Sequence, residues 1–274
     1  MSDRGLVTSV REATGPAVRI TVGTLMTSHE QHRQMMGSFD AHGFSGGDCE
    51  FLAIDNSARQ AADAYRGLNA LLDAARGDIV ILCHQDVRLI GDGRAALETR
   101  LRELSERAPD WAVAGNAGGV GPGRLALRIS DPHGADRHVG ELPARAQVLD
   151  ENFLVIRRSA RLGFSRDLSG FHMYGADICL VADLLGWSCW VIDFHLEHLS
   201  GGRKDESFHI AENAFRAKWS RALRPRFLQT TCTLVSIAGD PVLQLFGRFG
   251  TGPLSRISRR LTSARGFGQG GRRT

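Results

Sequence analysis

The chain has 274 residues, 42% of them hydrophobic and 23% charged, with a formal net charge of +4, values that are ordinary for a soluble globular protein. No apolar run approaches the ~20 residues needed to span a bilayer, and the first 16 residues lack the apolar segment of a secretory signal. The five cysteines show no CxxC spacing, which indicates buried thiols in a reducing compartment, and we expect a cytoplasmic protein.

The charge is divided unevenly along the chain. Residues 1–202 contain 20 Lys and Arg against 26 Asp and Glu, whereas residues 203–274 contain 14 against 4. An acidic body with a basic C-terminal quarter predicts an anionic partner for the tail, such as phosphates or a membrane surface. We expect no nucleic-acid partner, because no zinc-finger, RNP or helix-turn-helix pattern accompanies the basic residues.

Strand and helix patterns alternate through the first 120 residues. Short apolar or β-branched runs predict strands at 19–26, 50–54, 79–83 and 111–114, and apolar residues at three-to-four spacing predict helices at 30–42, 61–76 and 94–107. This alternation is typical of a parallel sheet whose strands are joined by right-handed helical crossovers.

The pattern changes after Gly121. Residues 121–148 are predicted to be irregular, and they are followed by a strand at 153–156, a helix at 176–185, a strand at 190–194 and a helix at 207–219. The apolar stretch 227–238 suits strand or helix, and a basic helix is predicted at 254–261. We therefore divide the chain into a flexible arm at 1–18, an α/β domain at 19–205, a helical extension at 206–265 and a disordered basic tail at 266–274.

The buried strand Ile79–Cys83 ends in three polar residues, His84, Gln85 and Asp86. Ligands of open α/β sheets bind at the carboxyl ends of the strands. A carboxylate beside an imidazole at that edge suits a divalent cation and the phosphates that it holds. The alternative is a purely structural role, in which Asp86 caps the next element.

Three further polar clusters follow predicted strands. They are Asp55-Asn56-Ser57, Asn116 with its neighbouring glycines, and the segment from His195 to His198. In one sheet, these clusters and His84-Gln85-Asp86 would converge on one edge.

The order of these pieces resembles that of the GT-A glycosyltransferases of the family 2 type, and is most similar to the glycosyltransferase-like subfamily typified by a streptomycin-biosynthesis protein. The similarity covers about residues 19–205. The matching pieces are Ile54-Asp55-Asn56-Ser57, Asn69 before Arg76-Gly77-Asp78, His84-Gln85-Asp86-Val87, Asp150-Glu151-Asn152-Phe153-Leu154, Tyr174-Gly175-Ala176-Asp177-Ile178-Cys179-Leu180 and His198-Leu199-Ser200-Gly201-Gly202.

The resemblance implies a GT-A, Rossmann-like α/β fold with a mostly parallel central sheet flanked by helices, followed by a basic C-terminal helical extension. It implies transfer of a sugar, with inversion, from a nucleotide-diphosphate donor to the hydroxyl of a saccharide or glycoconjugate acceptor. It also implies that Asp86 and His198 bind Mn²⁺ or Mg²⁺.

The resemblance assigns the remaining roles residue by residue. Asp177 would be the catalytic base that deprotonates the acceptor hydroxyl. The acceptor-binding residues would be Asp150, His172 and Tyr174, and the donor-binding residues would be Thr27, Asp55, Asn56, Ser57, Asn69, His84, Gln85, Arg203 and Lys204. Two positions depart from the family pattern, because His84 and Ala176 stand where the family usually has acidic residues.

Other functions fit parts of the sequence. A zinc hydrolase would use His84, His195 and His198, although no HExxH occurs and the three-residue spacing of the last two points them to opposite faces of a strand. A nicotinamide dehydrogenase is disfavoured because no GxGxxG follows the first strand. The altered residues at His84 and Ala176 also fit a domain that binds a nucleotide or a partner without turnover. Finally, the basic helix at 254–261 predicts a peripheral location at the inner face of an anionic membrane.

Overall fold

A computed structural model describes residues 3–15, 17–59, 61–202, 204–229, 231 and 234–245. The chain divides into two compact units, Met1–Asn213 and Ala214–Thr274. Three predicted features lie outside the described residues: Arg203, the basic helix at 254–261 and the tail at 266–274.

The helices are α1 His29–Phe39, α2 Ala64–Ala74, α3 Arg94–Arg107, α4 Tyr174–Leu184 and α5 Glu206–Ala222. The strands are β1 Thr8–Arg11, β2 Ile20–Met26, β3 Cys49–Asp55, β4 Ile79–Cys83, β5 Val87–Leu89, β6 Trp111–Gly115, β7 Ala117–Gly121, β8 Arg124–Asp131, β9 Gly134–Val139, β10 Ala144–Ala146, β11 Val148–Leu149, β12 Phe153–Arg157, β13 Ser188–Val191, β14 Leu196–His198, β15 Arg226–Gln229 and β16 Leu234–Ile237.

The first unit is built on an eight-stranded sheet in the order β1-β3-β2-β4-β12-β6-β13-β10. Strands β2, β3, β4, β6 and β13 run in one direction. Helix α2 packs on β2 and β3, and α4 packs on β6 and β13. This arrangement confirms the predicted fold class, an α/β fold with a mostly parallel central sheet flanked by helices.

The inner strands are buried because their side chains are apolar on both faces. Four of the five residues of β4 and all five of β6 are buried, as expected for strands that are covered on both sides. Helix α3 contributes Leu97, Leu101 and Leu104 to the same core, the three apolar positions on which that helix was predicted.

The direction of β12 differs from a simple parallel alternation. This strand lies between β4 and β6 and pairs with both in the antiparallel sense. Phe153 lies opposite Cys83, so the residues that precede β12 are brought to the carboxyl end of β4.

The prediction that residues 121–148 are irregular is wrong. Strands β7 to β11 occupy most of this segment, and a second sheet has the order β11-β7-β8-β14-β5, with β9 paired to β8. Strand β9 has no buried residue, so it lacks the apolar alternation by which a strand is recognised in sequence.

The ends of the described chain also contain strands. Strand β1, within the predicted flexible arm, pairs with the edge of β3 in the antiparallel sense. In the second unit, β15 and β16 form an antiparallel pair, so the described residues of the apolar stretch at 227–238 include two strands. Among the residues that the structure describes, no helix combines the length and apolar character needed to cross a bilayer.

The register of the strands fixes which residues meet at the carboxyl edge of the sheet. Met26 of β2 lies opposite Asp55 of β3, and Gly23 lies opposite Leu82 of β4. The residues that directly follow these three strands therefore share one edge of the molecule. The second sheet meets this edge through β14, in which His198 pairs with Val87 of β5.

Candidate functional site

Three side chains of types that can ligate a metal ion meet at this edge. Nδ1 of His84 lies 3.3 Å from Nε2 of His198, and Oδ1 of Asp86 lies 3.4 Å from that same nitrogen and 4.0 Å from Nδ1 of His84. All three ligand atoms lie within 4.8 Å of one another. Two imidazole nitrogens and one carboxylate oxygen that face a common point form a donor set of the kind that binds divalent transition metals.

Backbone pairing places these residues together. His84 and Asp86 lie on the short turn between β4 and β5, and His198 is the last residue of β14, which pairs with β5. The N–H of Leu199 donates to the carbonyl oxygen of Asp86 at 3.1 Å. The cluster is therefore held by the strand pairing that joins the second sheet to the end of β4.

Tyr174 orients the ring of His84. Its hydroxyl lies 2.7 Å from Nε2 of His84 and donates to the carbonyl oxygen of Glu151 at 3.2 Å. With the hydroxyl proton on that carbonyl, the phenolic oxygen would accept from an Nε2–H of His84. The neutral ring then has its unprotonated Nδ1 directed at the cluster, which is the tautomer that a metal ligand requires.

The pKa values of the cluster favour the ligand forms. Burial and the neighbouring His198 lower the pKa of His84, which keeps the imidazole neutral. Burial acts to raise the pKa of Asp86, but hydrogen bonds from His198 and Ser200 and the imidazole charges outweigh it and hold the pKa well below its ordinary value. His84 thus presents a neutral nitrogen donor and Asp86 an ionised oxygen donor near neutral pH.

A cavity of about 280 Å³ opens beside the cluster. Its lining includes two acidic residues, Asp86 and Glu151, together with apolar residues such as Leu25, Leu68 and Leu82. The described residues that line it are Leu25, Thr27, Asn56, Ala64, Leu68, Leu82, Cys83, His84, Gln85, Asp86, Glu151, Phe171, Tyr174 and Ser200.

Four predicted donor-binding residues lie at the outer part of this edge. Gln85 accepts from the N–H groups of Thr27 and Ser28 at 2.8 and 2.9 Å, and its own amide donates to the Thr27 hydroxyl. Asp55 is exposed and lies 3.3 Å from Nε2 of His29, while the N–H of Ser57 donates to it at 2.8 Å. Gln85 thus ties the turn after β2 to the turn after β4.

Two predicted donor-binding residues form hydrogen bonds to the backbone of loops. Asn56 is buried, accepts from the N–H groups of Ala61 and Ala62, and donates to the Ala62 carbonyl; it also lines the cavity. Asn69 exchanges two hydrogen bonds with the backbone of Phe164. Asn69 therefore anchors the loop before α4 and is not among the described residues that line the cavity.

The predicted catalytic base lies in the protein interior. Asp177 is in the first turn of α4 and is completely buried. One carboxylate oxygen accepts from the N–H of Ser165 at 2.8 Å and the other from its hydroxyl at 2.7 Å. Among the described residues that line the cavity, Asp177 is absent. Its role as the base stays a prediction.

The remaining predicted residues are dispersed. Asp150 is exposed and accepts from the N–H of Asn152, and Nε2 of His172 lies 3.2 Å from the hydroxyl of Ser207. Lys204 is exposed, with its ammonium 6.0 Å from the ring centre of Phe208. Tyr174 is the predicted acceptor-binding residue that lines the cavity.

Two predicted polar positions do not join the cluster. Nε2 of His195 lies 2.9 Å from the Ser130 hydroxyl and 3.6 Å from Asp136, which removes this histidine from the zinc-ligand set considered for a hydrolase. Asn116 is completely buried and donates to the carbonyl of Arg128. The β3 turn, the β4 turn and His198 therefore converge as predicted, whereas Asn116, which follows β6 in the same sheet, and His195 lie outside the metal-ligand cluster and the described cavity lining.

The structure adds two residues to the site. His84, assigned from sequence to donor binding, faces Asp86 and His198 as a third ligand; its place directly after the buried strand was the available signal. Glu151 lines the cavity, and its sequence context offered no signal beyond an acidic pair before β12.

Replacing Tyr174 by phenylalanine is expected to weaken binding of Mn²⁺ to the full chain by about 10-fold, since outer partners of metal-ligating histidines typically contribute 10–100-fold in affinity. The change removes the partner of Nε2 of His84. Isothermal titration calorimetry with Mn²⁺ alone measures the effect. Tyr65→Phe is the matched control, because that buried hydroxyl donates to the His172 carbonyl; equal losses in both variants would contradict the role of Tyr174.

Comparison with known proteins places the chain among relatives. No protein-family model matches it. Among solved structures it is similar to the mannosyltransferase PcManGT from Pyrobaculum calidifontis in complex with GDP-Man and Mn²⁺, with 13% identity, a TM-score of 0.49, and coverage of 77% of this chain and 66% of that chain. It is also similar to S. aureus TarS, with 11% identity, a TM-score of 0.46, and coverage of 67% and 37%. For A197 from STIV the identity is 13%, the TM-score is 0.41, and the match covers 66% of this chain and 85% of that chain.

The chain spans less than two thirds of the mannosyltransferase and of TarS, and at TM-scores below 0.5 these matches carry no chemistry over to it. A sequence relative extends much further. The chain is 35% identical over 240 residues to "ATP synthase subunits region ORF 6" of Fuscovulum blasticum, a match that covers 85% of this chain and 96% of that protein. The chain therefore belongs to the same family as the ATP synthase subunits region ORF 6 protein.

Proposed function

We propose that the protein is a metal-dependent glycosyltransferase that moves a sugar from a nucleotide-diphosphate donor to an acceptor hydroxyl with inversion. One observation carries the proposal: His84, Asp86 and His198 direct three ligand atoms to a common point beside a cavity at the carboxyl edge of a mostly parallel sheet. This edge is where α/β sheets bind nucleotides. Three of the motif pieces that resemble the family 2 type, Asp55-Asn56-Ser57, His84-Gln85-Asp86 and His198, directly follow or end strands at the same edge.

The residues present fit a divalent cation. The tautomer that Tyr174 imposes on His84 and the ionised state of Asp86 supply donors without a proton at the ligand atoms. Mg²⁺ is bound almost entirely by oxygen, whereas imidazole nitrogen suits transition metals. Of the two predicted ions, the donor set therefore favours Mn²⁺.

The chain would use this edge to hold and orient the donor. A divalent ion bound there would neutralise the charge that develops on the leaving diphosphate. Thr27 and Gln85 shape the entrance between the β2 and β4 turns. The apolar lining residues, which include Leu25 and Leu68, would exclude water from the part of the donor that enters the cavity.

The volume limits how much of the donor enters. Ligand cavities are commonly roughly 300–1,000 Å³, and this one is about 280 Å³, so it accommodates one portion of a nucleotide sugar. We assign Asp55, Asn56, Ser57 and Asn69 to the nucleotide side or to the support of its loops. Asp150, His172 and Tyr174 are assigned to the acceptor side, and Arg203 and Lys204 to the diphosphate.

The proposal is tested by calorimetric titration of the full chain with UDP, GDP and dTDP, each with and without Mn²⁺. We expect one nucleotide to bind only when Mn²⁺ is present. If none of the three nucleotides bound, with or without the metal, the proposed donor site would be contradicted. Binding without release of nucleotide from any of the corresponding sugar donors would instead support the domain that binds without turnover.

The cytoplasmic location and the attachment of the basic tail to an anionic membrane stay predictions. Co-sedimentation with phosphatidylglycerol vesicles tests the second, and equal binding by the full chain and by residues 1–250 would contradict it.

A further inference from the structure

Glu151 is an acidic residue at the cavity that the sequence motifs leave without a role. It lies in the turn between β11 and β12, next to Asn152, whose carbonyl accepts from the N–H of His84 at 3.0 Å. The antiparallel register that sets Phe153 opposite Cys83 brings this turn to the end of β4. Glu151 and Asp86 consequently line the same cavity.

The Glu151 side chain is held at the beginning of α4. Its Oε1 accepts from the N–H of Gly175 at 3.2 Å, and the N–H groups of Met173 and Tyr174 also face the carboxylate. Met173, at the N-terminal boundary of α4, makes no side-chain cap. The partial positive charge of a helix N-terminus therefore orients this carboxylate, and Glu151 is among the residues that line the cavity.

The two candidate carboxylates differ in access. Asp177 is completely buried and both of its oxygens accept from Ser165. For Asp177 to take a proton from an acceptor, the loop that carries Ser165 would have to move. Glu151 needs no such movement, because it already borders the cavity beside the metal-ligand cluster.

We propose that Glu151 is the general base of the transfer reaction; this inference rests on the proposed glycosyltransferase function. The Glu151 carboxylate takes the proton of the acceptor hydroxyl as the acceptor oxygen forms a bond to the anomeric carbon. The bond from that carbon to the diphosphate oxygen breaks, and its electron pair leaves with the nucleoside diphosphate. Asp177 then acts as the residue that fixes the loop of Ser165 against α4.

The protonation behaviour of Glu151 suits this role. Burial raises its pKa to about 8 despite the opposing N–H groups of α4, and Asp150 on the same turn adds to the shift. The titratable groups that face it from other elements are Tyr174 on α4 and Tyr65 on α2, and His84 shares its cavity. A base works best when its pKa lies near the working pH.

The test compares Glu151→Gln with Asp177→Asn in the full chain. Mn²⁺-dependent release of nucleoside diphosphate is measured from the sugar conjugates of whichever nucleotide binds, with water as the acceptor. We expect Glu151→Gln to lower kcat by about 10²–10⁴-fold, the usual contribution of a general base, with the nucleotide Kd unchanged within about threefold, because glutamine preserves the acceptor for Gly175. The wild-type kcat should rise with pH up to about 8, and this rise should be absent in Glu151→Gln.

Thermal unfolding of the metal-free proteins checks that each variant folds. The Tm of Glu151→Gln should increase relative to that of wild type as the pH rises from 5 to 8.5.

Activity above one tenth of wild type in Glu151→Gln overturns the proposal. Loss of nucleotide binding in that variant also overturns it, because Glu151 would then be a structural cap. A large loss confined to Asp177→Asn would return the base to Asp177. Absence of nucleotide binding or release in the wild type contradicts the glycosyltransferase function itself.

Discussion

Replacing Asp86 by alanine is expected to weaken Mn²⁺-dependent nucleotide binding by at least about 100-fold, because removal of even an outer partner typically costs 10–100-fold. Asp86 supplies the anionic ligand of the cluster, and its Oδ1 lies within 4.0 Å of both imidazoles. Without it, two neutral nitrogens face a doubly charged ion with no compensating charge. Calorimetric titration of the full chain with nucleotide in the presence of Mn²⁺ measures the loss.

The matched control is His195→Ala. His195 is a half-buried histidine of the same segment as His198, but its ring bonds to Ser130 outside the cluster. Nucleotide affinity in this variant should equal that of wild type, whereas His84→Ala and His198→Ala should each lose metal-dependent binding. A loss in His195→Ala as large as in Asp86→Ala would show that general destabilisation, and not ligation, accounts for the effect.

Replacing Gly77 by alanine is expected to destabilise the first unit by roughly 2–4 kcal/mol, the range of severe overpacking. A Cβ at this position would lie 2.5 Å from the Thr21 nitrogen, 2.7 Å from the Ile20 carbonyl carbon and 2.9 Å from the Ile79 oxygen. All three atoms are backbone atoms of β2 and β4, so relief requires these strands to separate. The midpoint of urea unfolding, followed by circular dichroism, reports the change.

Gly37→Ala provides a control of opposite sign. Gly37 lies inside α1, and a Cβ there would meet no atom within 4 Å. Alanine should stabilise this helix by about 0.5–1 kcal/mol, because glycine loses more backbone entropy on folding. If both variants shifted the midpoint in the same direction, the close approach of Gly77 to β2 and β4 would not be the cause.

The strands of the central sheet could be predicted because their physical signal is local. Ile79–Cys83 is apolar on both faces, and such a run indicates a buried strand wherever it occurs. The direction of β12 could not be predicted in the same way. Its apolar run is compatible with both parallel and antiparallel pairing. The direction of the strand depends on how it pairs with its neighbours β4 and β6.

The strands of the second sheet have only weak sequence patterns. Strand β7 contains three glycines, β9 has no buried residue on either face, and β14 has three residues. Their stability comes from pairing with strands distant in the chain, which propensity and periodicity do not register. For the same reason, the partnership of His198 with the β4 turn came from family resemblance and not from residue spacing.

The site was predictable where a polar residue directly follows a strong strand, as His84 and Asp86 do. It was not predictable where the cavity depends on side-chain direction. Asp177, in the first turn of α4, is buried against Ser165, whereas Glu151 reaches the cavity from the turn that precedes β12. A carboxylate's exposure depends on the packing around it, which residue identity alone does not determine.

The pairing of β14 with β5 has a consequence for synthesis of the protein. His84 and His198 are separated by 114 positions, so a nascent chain that ends before β14 lacks one of the three ligands. A bound ion would act as a cross-link that closes this long loop, and such a closure restricts the unfolded ensemble more than a short one does. Competence to hold an ion therefore requires β14, and a bound ion and the paired strands of the second sheet would stabilise each other.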